Sequence, residues 1–366
     1  MIDLFILIFC SFIIANQIAV YSKNYSSILV AVKKNIVIRL LWILLLLLLI
    51  LFSGLRTSYN DTGYYILSYK LLDINSIGLS TLFKPYGGFD IYQFFLKKFI
   101  SQNPQTLIMA SSMIVNIIYI WFFSKYSKHF GWTILSYFIL GPYIFSMAGM
   151  KQILSMSLSL FAIDNLIENN NVKFLIWIIL SSLFHPYILC FLILPFINKG
   201  ICDKRFMITV LIIFFIVINI NNLITLAGYI GKDYTVEELS SNTINPFRVI
   251  VEMIPILIMF LFKNRLTSSN NKLFIMGINM MILNTFFISL GLIFNPIYFG
   301  RIGTYFSLIN ALTIPHMLYE IFKRVENIKM YFVLYYSFFI VYFILDLTKL
   351  GTVSIFQDIF KHISLF

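Results

Sequence analysis

The chain has 366 residues, of which 60% are apolar and 11% are charged, whereas ordinary soluble domains contain about 45–50% apolar and about 25% charged residues. This composition excludes a soluble globular protein. The net charge of +12 would fit a nucleic-acid-binding protein, but the basic residues are scattered between apolar stretches, so they report membrane orientation and no nucleic acid is expected as a partner. We predict an all-α fold, a polytopic bundle of transmembrane helices.

Apolar windows of about 20 residues, the length that crosses a bilayer as a helix, recur along the whole chain. They predict about 11–12 spans, depending on how the interrupted window 174–197 is counted. The sequence shows no internal repeat and no soluble domain, so residues 1–366 are expected to form a single integral membrane domain. The first window lacks a basic segment before it and is expected to be a retained span. The windows lie near 3–22, 37–53, 106–123, 130–148, 152–168, 174–197, 206–222, 247–262, 273–292, 302–319 and 330–348.

The window 174–197 is ambiguous because His185-Pro186 stands in its middle, and proline tends to end a helix at the preceding residue. It is either one kinked span or a short helical hairpin whose halves meet at His185. Positive charge favours the hairpin, since 16 of the 27 basic residues then face the cytoplasm, against 12 of 27 for a single span. With the hairpin, both termini lie outside, and so do the segments 54–105 and 223–246.

The first outer segment, 54–105, contains an amphipathic stretch. Asp90, Gln93 and Lys97 fall on one side of a helix whose other side is apolar, so we expect this helix to lie in the interface plane and cap the bundle. The second outer segment, 223–246, is polar and is interpreted equally well as a lid or as a connecting loop.

Four places near the outer ends of spans carry ionisable side chains, which are costly at a membrane and are therefore candidates for function. Two or three cations with a histidine and a carboxylate suit an anionic lipid headgroup, because guanidinium binds phosphate oxygens in pairs and ammonium supplies a compact charge. A neutral imidazole or a carboxylate would then accept a proton from an attacking hydroxyl. The four places are Arg56 with the following Asp61 and Tyr64, Lys151-Gln152, His185, and Arg301 with the following Tyr305.

Each candidate also has a structural explanation. A single arginine at a span end often anchors its helix at the interface, which applies to both Arg56 and Arg301. His185 before a proline would cap a broken helix by bonding a freed carbonyl. The outer loop has no Asp-x-Asp pair and the chain has no His/Cys cluster with ligand spacing, so we expect neither a metal nor another cofactor.

In their order along the chain, these motifs resemble the EpsG-like branch of the Wzy-type polysaccharide polymerases. The similar stretch runs from about residue 50 to 320. The family commonly has an arginine where Lys151 stands, and lysine keeps the charge but loses the bidentate fork. The motifs that carry the resemblance are Arg56 with Asp61 and Tyr64-Tyr65, Lys151-Gln152, Leu183-Phe184-His185-Pro186, and Arg301-x-x-x-Tyr305-Phe306.

The resemblance implies a multi-pass enzyme of the bacterial inner (cytoplasmic) membrane with its active site toward the outer face. It would be a glycosyltransferase that moves a growing glycan from undecaprenyl pyrophosphate to the next lipid-linked repeat unit, without a metal and with inversion at the anomeric carbon. The expected partners are the lipid-linked oligosaccharide, the bilayer, and a chain-length regulator and a flippase of the same pathway.

The resemblance also implies a role for each candidate residue. His185 or Asp61 would act as the base on the acceptor hydroxyl. The substrate-binding residues would be Arg56, Lys151, Gln152, Arg301, Tyr305 and Tyr64.

Three other function classes remain open, one of them a purely structural subunit of a biosynthetic complex. A flippase for the same units would usually show pseudo-symmetric halves with binding elements at the membrane midplane, whereas the candidate cations here gather at one face. Another lipid-donor glycosyltransferase or a ligase would share the donor and differ in the acceptor.

Overall fold

The structure, a computed structural model, describes residues 2–218, 243–267, 269 and 271–349. All regular secondary structure within these residues is helical, which confirms the all-α prediction. Most of the predicted outer segment 223–246 lies outside the described residues. The α-helices are α1 (Ile2–Tyr21), α2 (Ile28–Lys34), α3 (Ile36–Gly54), α4 (Thr62–Leu71), α5 (Gly87–Phe99), α6 (Gln105–Tyr126), α7 (Phe130–Ile139), α8 (Pro142–Ala148), α9 (Met150–Ile167), α10 (Asn171–Ser182), α11 (Lys204–Ile218), α12 (Pro246–Leu261), α13 (Lys263–Leu266), α14 (Lys272–Leu290), α15 (Pro296–Phe306), α16 (Asn310–Phe322) and α17 (Ile328–Lys349).

Five of the described helices, α1, α3, α6, α14 and α17, are long and apolar enough to cross a membrane. The pair α7 and α8, bent by 43°, would make a sixth span. The bend has a local cause, because Gly141 adopts a φ of +92° and Pro142 opens α8. Other predicted spans coincide with shorter helices. The protein is thus a polytopic helical bundle, as the sequence predicted.

The window 174–197 is broken where the sequence predicted. α10 ends at Ser182, and a 3-10 helix covers Pro186–Phe196. α10 packs against this 3-10 helix, so the two halves form a hairpin with His185 at its turn. Pro186 accounts for the break, since it has no N–H to donate and its ring disfavours a helical residue before it.

The chain divides into two compact units. Unit 1 comprises the described residues of 1–161, 183–185 and 325–366, and unit 2 those of 162–182 and 186–324. In unit 1, α1 packs against α3 and α7, α3 packs against α6, and α17 packs against α7. In unit 2, α14 packs against α12, α15 and α16.

A buried polar network joins α3, α6 and α7 in unit 1. The hydroxyls of Ser53 and Ser112 lie 2.6 Å apart, and Asn116 donates from Nδ2 to the Ser53 hydroxyl at 3.2 Å. Tyr137 donates its hydroxyl to Asn116 Oδ1 at 3.4 Å. Because polar groups among apolar helices must find such partners, the network fixes how the three helices pack. It thereby fixes the end of α3, from which Arg56 follows.

The helix α5 turns its polar side inwards. Gln93 and Lys97 are buried, whereas Phe95 is 52% and Phe99 is 62% exposed. The Lys97 ammonium donates hydrogen bonds of 2.8–2.9 Å to three carbonyl oxygens at the C-terminal end of α4. A cation at this place satisfies carbonyls that the helix leaves unpaired. The exposed apolar side is the one that a helix in the membrane interface would present to lipid.

Candidate functional site

Unit 1 contains most of the residues that the sequence singled out. They come from the segment after α3, from the first turn of α9 and from the turn of the hairpin. The contacts that connect them run through aromatic residues of α4 and of the start of α5.

Arg56 stands two residues after α3, and its side chain is only 1% exposed. Its Nε donates to the Thr62 hydroxyl at 3.2 Å, and its Nη1 donates to the carbonyl oxygen of Ser53. Gln105 secures the same backbone by donating from Nε2 to the carbonyl oxygens of Gly54, at 2.6 Å, and Arg56, at 3.2 Å. The arginine is therefore held from both sides and does not reach out to the interface.

Within the described part of the chain, no carboxylate forms an ion pair with Arg56. Burial lowers the pKa of the guanidinium to about 10, so the group is still a cation at neutral pH. Its electrostatic partners among the described residues are the hydroxyls of Tyr143, Tyr65 and Tyr59, with no carboxylate. A buried cation without an anionic partner is costly to the fold and favours binding of an anion.

Lys151 lies in the first turn of α9, and its ammonium lies against the start of α5. The Nζ atom is 4.8 Å from the centre of the Tyr86 ring and 5.1 Å from that of the Phe89 ring. At such distances each ring attracts a cation by about 0.5–1 kcal/mol, and more where water is excluded. The backbone N–H of Lys151 also donates a long hydrogen bond of 3.5 Å to the Tyr65 hydroxyl. These contacts connect the start of α9 with α4 and α5.

His185 is buried at the turn of the hairpin, with 6% of its surface exposed. Its ring makes an edge-to-face contact with Tyr86, with the ring centres 5.4 Å apart. Its backbone carbonyl accepts a hydrogen bond of 3.3 Å from the Ser155 hydroxyl, one turn along α9 from Lys151. A single ring, that of Tyr86, thus touches both the Lys151 ammonium and the His185 imidazole.

Two glycines pack the start of α5 closely, Gly87 against Thr81 and Gly88 against Leu183 of the hairpin turn. A Cβ on Gly87 would lie 1.9 Å from the Thr81 carbonyl oxygen, and one on Gly88 would lie 2.7 Å from the Cβ of Leu183. The Gly88 N–H donates to the Leu183 carbonyl oxygen at 3.0 Å. Tyr86, just before them, has a φ of +63°, which turns the chain into the helix. Glycine permits this close approach because it has no side chain.

Asp90 and Tyr86 are the site residues that the sequence reasoning missed. Burial raises the pKa of the Asp90 carboxyl above its ordinary value, while Lys151 and Lys84 oppose that shift. The sequence predicted that Asp90 lies on the polar side of an interface helix, but it did not indicate which residues that side contacts. A signal for both residues was present in the sequence: an amphipathic helix begins with Tyr-Gly-Gly-Phe-Asp, and paired glycines indicate that another segment of the chain packs closely there.

The remaining predicted residues of unit 1 have contrasting environments. Asp61 is exposed and precedes α4, and its side chain makes no capping hydrogen bond. Tyr64 is 63% exposed, with its ring 5.6 Å from that of the buried Tyr65. Gln152 is buried beside Lys151 at the start of α9. The catalytic role of Asp61 and the substrate contacts of Tyr64 and Gln152 stay predictions.

Arg301 and Tyr305 lie in unit 2, on α15. Tyr305 is fully buried and makes an edge-to-face contact with Phe191, with the ring centres 6.1 Å apart. Arg301 is exposed. Between them, Gly303 lets α15 approach α14, since a Cβ there would lie 3.2 Å from the Asn284 carbonyl oxygen. Tyr305 therefore belongs to the core of unit 2, and its role in substrate binding stays a prediction, as does that of Arg301.

The acidic, histidine and cysteine residues of the described ranges do not cluster. Nowhere in that part of the chain do three or more of them come close enough together to hold a metal ion. The metal-free mechanism expected from the sequence stays a prediction.

Comparison with known proteins bears on most of the chain. A family model described as the EpsG family matches residues 39–359, and this range includes all the candidate residues. No curated protein and no solved structure matches.

Proposed function

Since the chain belongs to the EpsG family, whose membership suggests a polysaccharide polymerase type of function, we propose that it is a lipid-dependent glycosyltransferase. It transfers a growing glycan from undecaprenyl pyrophosphate to the next lipid-linked repeat unit at the outer face of the bacterial inner membrane. The observation that carries the proposal is the buried charge of Arg56, with no carboxylate partner among the described residues, in the unit that also holds Lys151 and His185.

A pyrophosphate group fits the chemistry of this place. Among the described residues, Arg56 uses Nε and Nη1 for hydrogen bonds, which leaves Nη2 for a ligand oxygen. The Lys151 ammonium supplies a second, compact charge. Together these groups would stabilise a leaving pyrophosphate.

The proposed reaction is a direct displacement at the anomeric carbon. The acceptor hydroxyl transfers its proton to the His185 imidazole while its oxygen bonds to that carbon. The bond from the carbon to the pyrophosphate oxygen breaks, and the lipid pyrophosphate leaves with its charge held by Arg56 and Lys151. We favour His185 over Asp61 as the base, because His185 is buried beside Tyr86 and Asp61 is exposed. The configuration at the anomeric carbon would invert.

Polymerisation by the purified full chain tests this function. The protein in lipid nanodiscs is incubated with lipid-linked repeat units, and a ladder of longer glycans is the expected product. Arg56→Gln should lower the rate about 10²–10³-fold, the usual effect of losing a group that stabilises developing charge. Arg324→Gln, at an exposed arginine outside the site, is the matched control and should elongate as the parent does.

Three results would contradict the proposal in different parts. Movement of the lipid-linked unit across the bilayer of a vesicle, with no elongation, would identify a flippase. A full ladder from Arg56→Gln would remove Arg56 from the site. A product that retains the donor configuration would exclude direct displacement.

A further inference from the structure

We propose that residues 86–90, at the start of α5, position the Lys151 ammonium and tune its binding of anions: the rings of Tyr86 and Phe89 hold it in place, and the Asp90 carboxylate weakens the binding through its negative charge. The anion is the pyrophosphate of the proposed function, on which this inference rests. Tyr86 and Phe89 are positioning residues here, since they act on the ligand through Lys151, whereas Asp90 acts through its charge.

The position of the ammonium follows from two rings of a single turn. Tyr86 directly precedes α5 and Phe89 lies in its first turn. The Lys151 Nζ lies within 5.1 Å of both ring centres. Phe89 is fully buried and makes an edge-to-face contact with Tyr65, with the ring centres 5.6 Å apart. Its ring is therefore fixed, and so is the place that it offers to a cation.

The turn itself has little freedom to move. Gly87 and Gly88 fit against Thr81 and Leu183 with no room for a Cβ, and the Gly88 N–H bonds to the Leu183 carbonyl oxygen. A flexible lysine loses side-chain entropy when it binds a ligand, and holding it beforehand reduces that loss. A rigid turn with two rings would hold the ammonium in this way.

The carboxylate of Asp90 acts in the opposite sense. It follows Phe89 directly and interacts electrostatically with both Lys151 and Lys84. An arriving pyrophosphate meets repulsion from this carboxylate and must replace its attraction for the ammonium. Removal of the charge should strengthen anion binding, whereas removal of a ring should weaken it. The two kinds of variant are thus expected to move affinity in opposite directions.

Binding of inorganic pyrophosphate to the full chain in nanodiscs, measured by calorimetry, tests these signs. Asp90→Asn should bind about fivefold more tightly, the change expected for about 1 kcal/mol of charge interaction. Phe89→Leu and Tyr86→Leu should each bind about fivefold more weakly. Tyr86→Phe keeps the ring and should bind as the parent does, and Glu326→Gln is a control at an exposed carboxylate. Weaker binding by Asp90→Asn as well would show that the turn is only structural and would overturn the proposal.

A second measurement separates this inference from the proposed function. The rate at which an amine-acylating reagent modifies Lys151, followed by mass spectrometry, needs no ligand. Tyr86→Leu and Phe89→Leu should speed that modification several-fold, and Tyr86→Phe should not. If the parent protein binds no pyrophosphate, the proposed function is wrong at this site, while faster labelling in the ring variants still supports the positioning of Lys151. Unchanged labelling in both leucine variants would overturn that positioning.

Discussion

At the scale of single residues, burial distinguishes Arg56 from Arg301, for which the sequence gave the same prediction. Both follow the pattern of an arginine near a span end, and each could have been an interface anchor. The structure buries Arg56 among carbonyl and hydroxyl oxygens and leaves Arg301 exposed. The sequence could not separate them, because burial depends on how the chain returns around each side chain.

A lysine should not replace Arg56. An ammonium on a shorter side chain cannot span the Thr62 hydroxyl and the Ser53 carbonyl as the guanidinium does. We expect Arg56→Lys to lower the free energy of unfolding by about 1–3 kcal/mol and to reduce elongation at least tenfold. Thermal unfolding in nanodiscs and the polymerisation ladder measure these effects. Arg324→Lys, at an exposed position, should leave the unfolding temperature unchanged, and an equal loss in both variants would contradict this explanation.

The shifted pKa of Asp90 predicts a pH-dependent stability. Its carboxyl ionises less readily in the folded chain than its ordinary pKa of 3.8 implies. The fold is therefore penalised as pH rises through the ordinary pKa and the raised one, and the penalty is complete above both. Asp90→Asn has no such charge, so it should unfold at a higher temperature than the parent at pH 7. The difference should disappear as the pH falls below 3.8. A less stable Asp90→Asn at pH 7 would show that the Lys151 and Lys84 attractions outweigh burial.

At the scale of elements, α5 has the amphipathicity that the sequence predicted, with an added function for its polar side. Lys97 fell on that side by its spacing, but its three bonds to the end of α4 depend on a contact between residues far apart in sequence. The hairpin, in contrast, was predicted correctly, because Pro186 and the charges around it act locally. Features that depend on neighbouring residues could thus be predicted from the sequence, whereas contacts between distant segments could not.

Neighbouring lysines on α5 should differ in their effect on stability. Lys97→Met removes a buried ammonium from three carbonyl oxygens and should cost about 1.5–3 kcal/mol of stability, the usual value of hydrogen bonds to a charged group. Lys98→Met is the matched control, since Lys98 is exposed on the same helix and surface changes usually stay within about 0.5 kcal/mol. Unfolding curves of the two variants make the comparison. Equal stability of both would show that Lys97 does not hold the end of α4.

Gly88 and Gly63 provide a second pair of variants with different expected effects on stability. Gly88→Ala places a methyl group 2.7 Å from the Cβ of Leu183 and should destabilise the fold by about 1–3 kcal/mol, the usual effect of overpacking. Gly63→Ala, inside α4 with nothing within 4 Å of the added atom, should instead stabilise by about 0.5–1 kcal/mol. Opposite shifts in unfolding temperature are expected. A neutral Gly88→Ala would mean that the start of α5 and the hairpin turn can separate.

At the scale of the whole molecule, composition and charge predicted the polytopic helical fold and its proposed orientation. They did not predict the two compact units, since one of the boundaries between these units, at residues 161 and 162, falls inside α9 (Met150–Ile167). A boundary within a continuous helix leaves no mark in composition. Only the pattern of contacts shows it.

The predicted sidedness can be tested by labelling. In a chain whose three cysteines are replaced, Lys199→Cys should resist a membrane-impermeant thiol reagent added to the outside of intact cells, because the hairpin returns the chain to the cytoplasmic side. Lys70→Cys, at an exposed position in the predicted outer segment, should be labelled. Labelling at residue 199 would show that 174–197 crosses the membrane once.

The exposed phenylalanines of α5 have a consequence for how the site responds to its surroundings. Phe95 and Phe99 are exposed, as suits a helix end in contact with lipid, while Tyr86 before the other end contacts Lys151. Since that end is packed against Thr81 and Leu183, lipid contact at the far end would set the depth of Lys151 relative to the bilayer surface. Elongation should then depend on acyl-chain length even with saturating substrate.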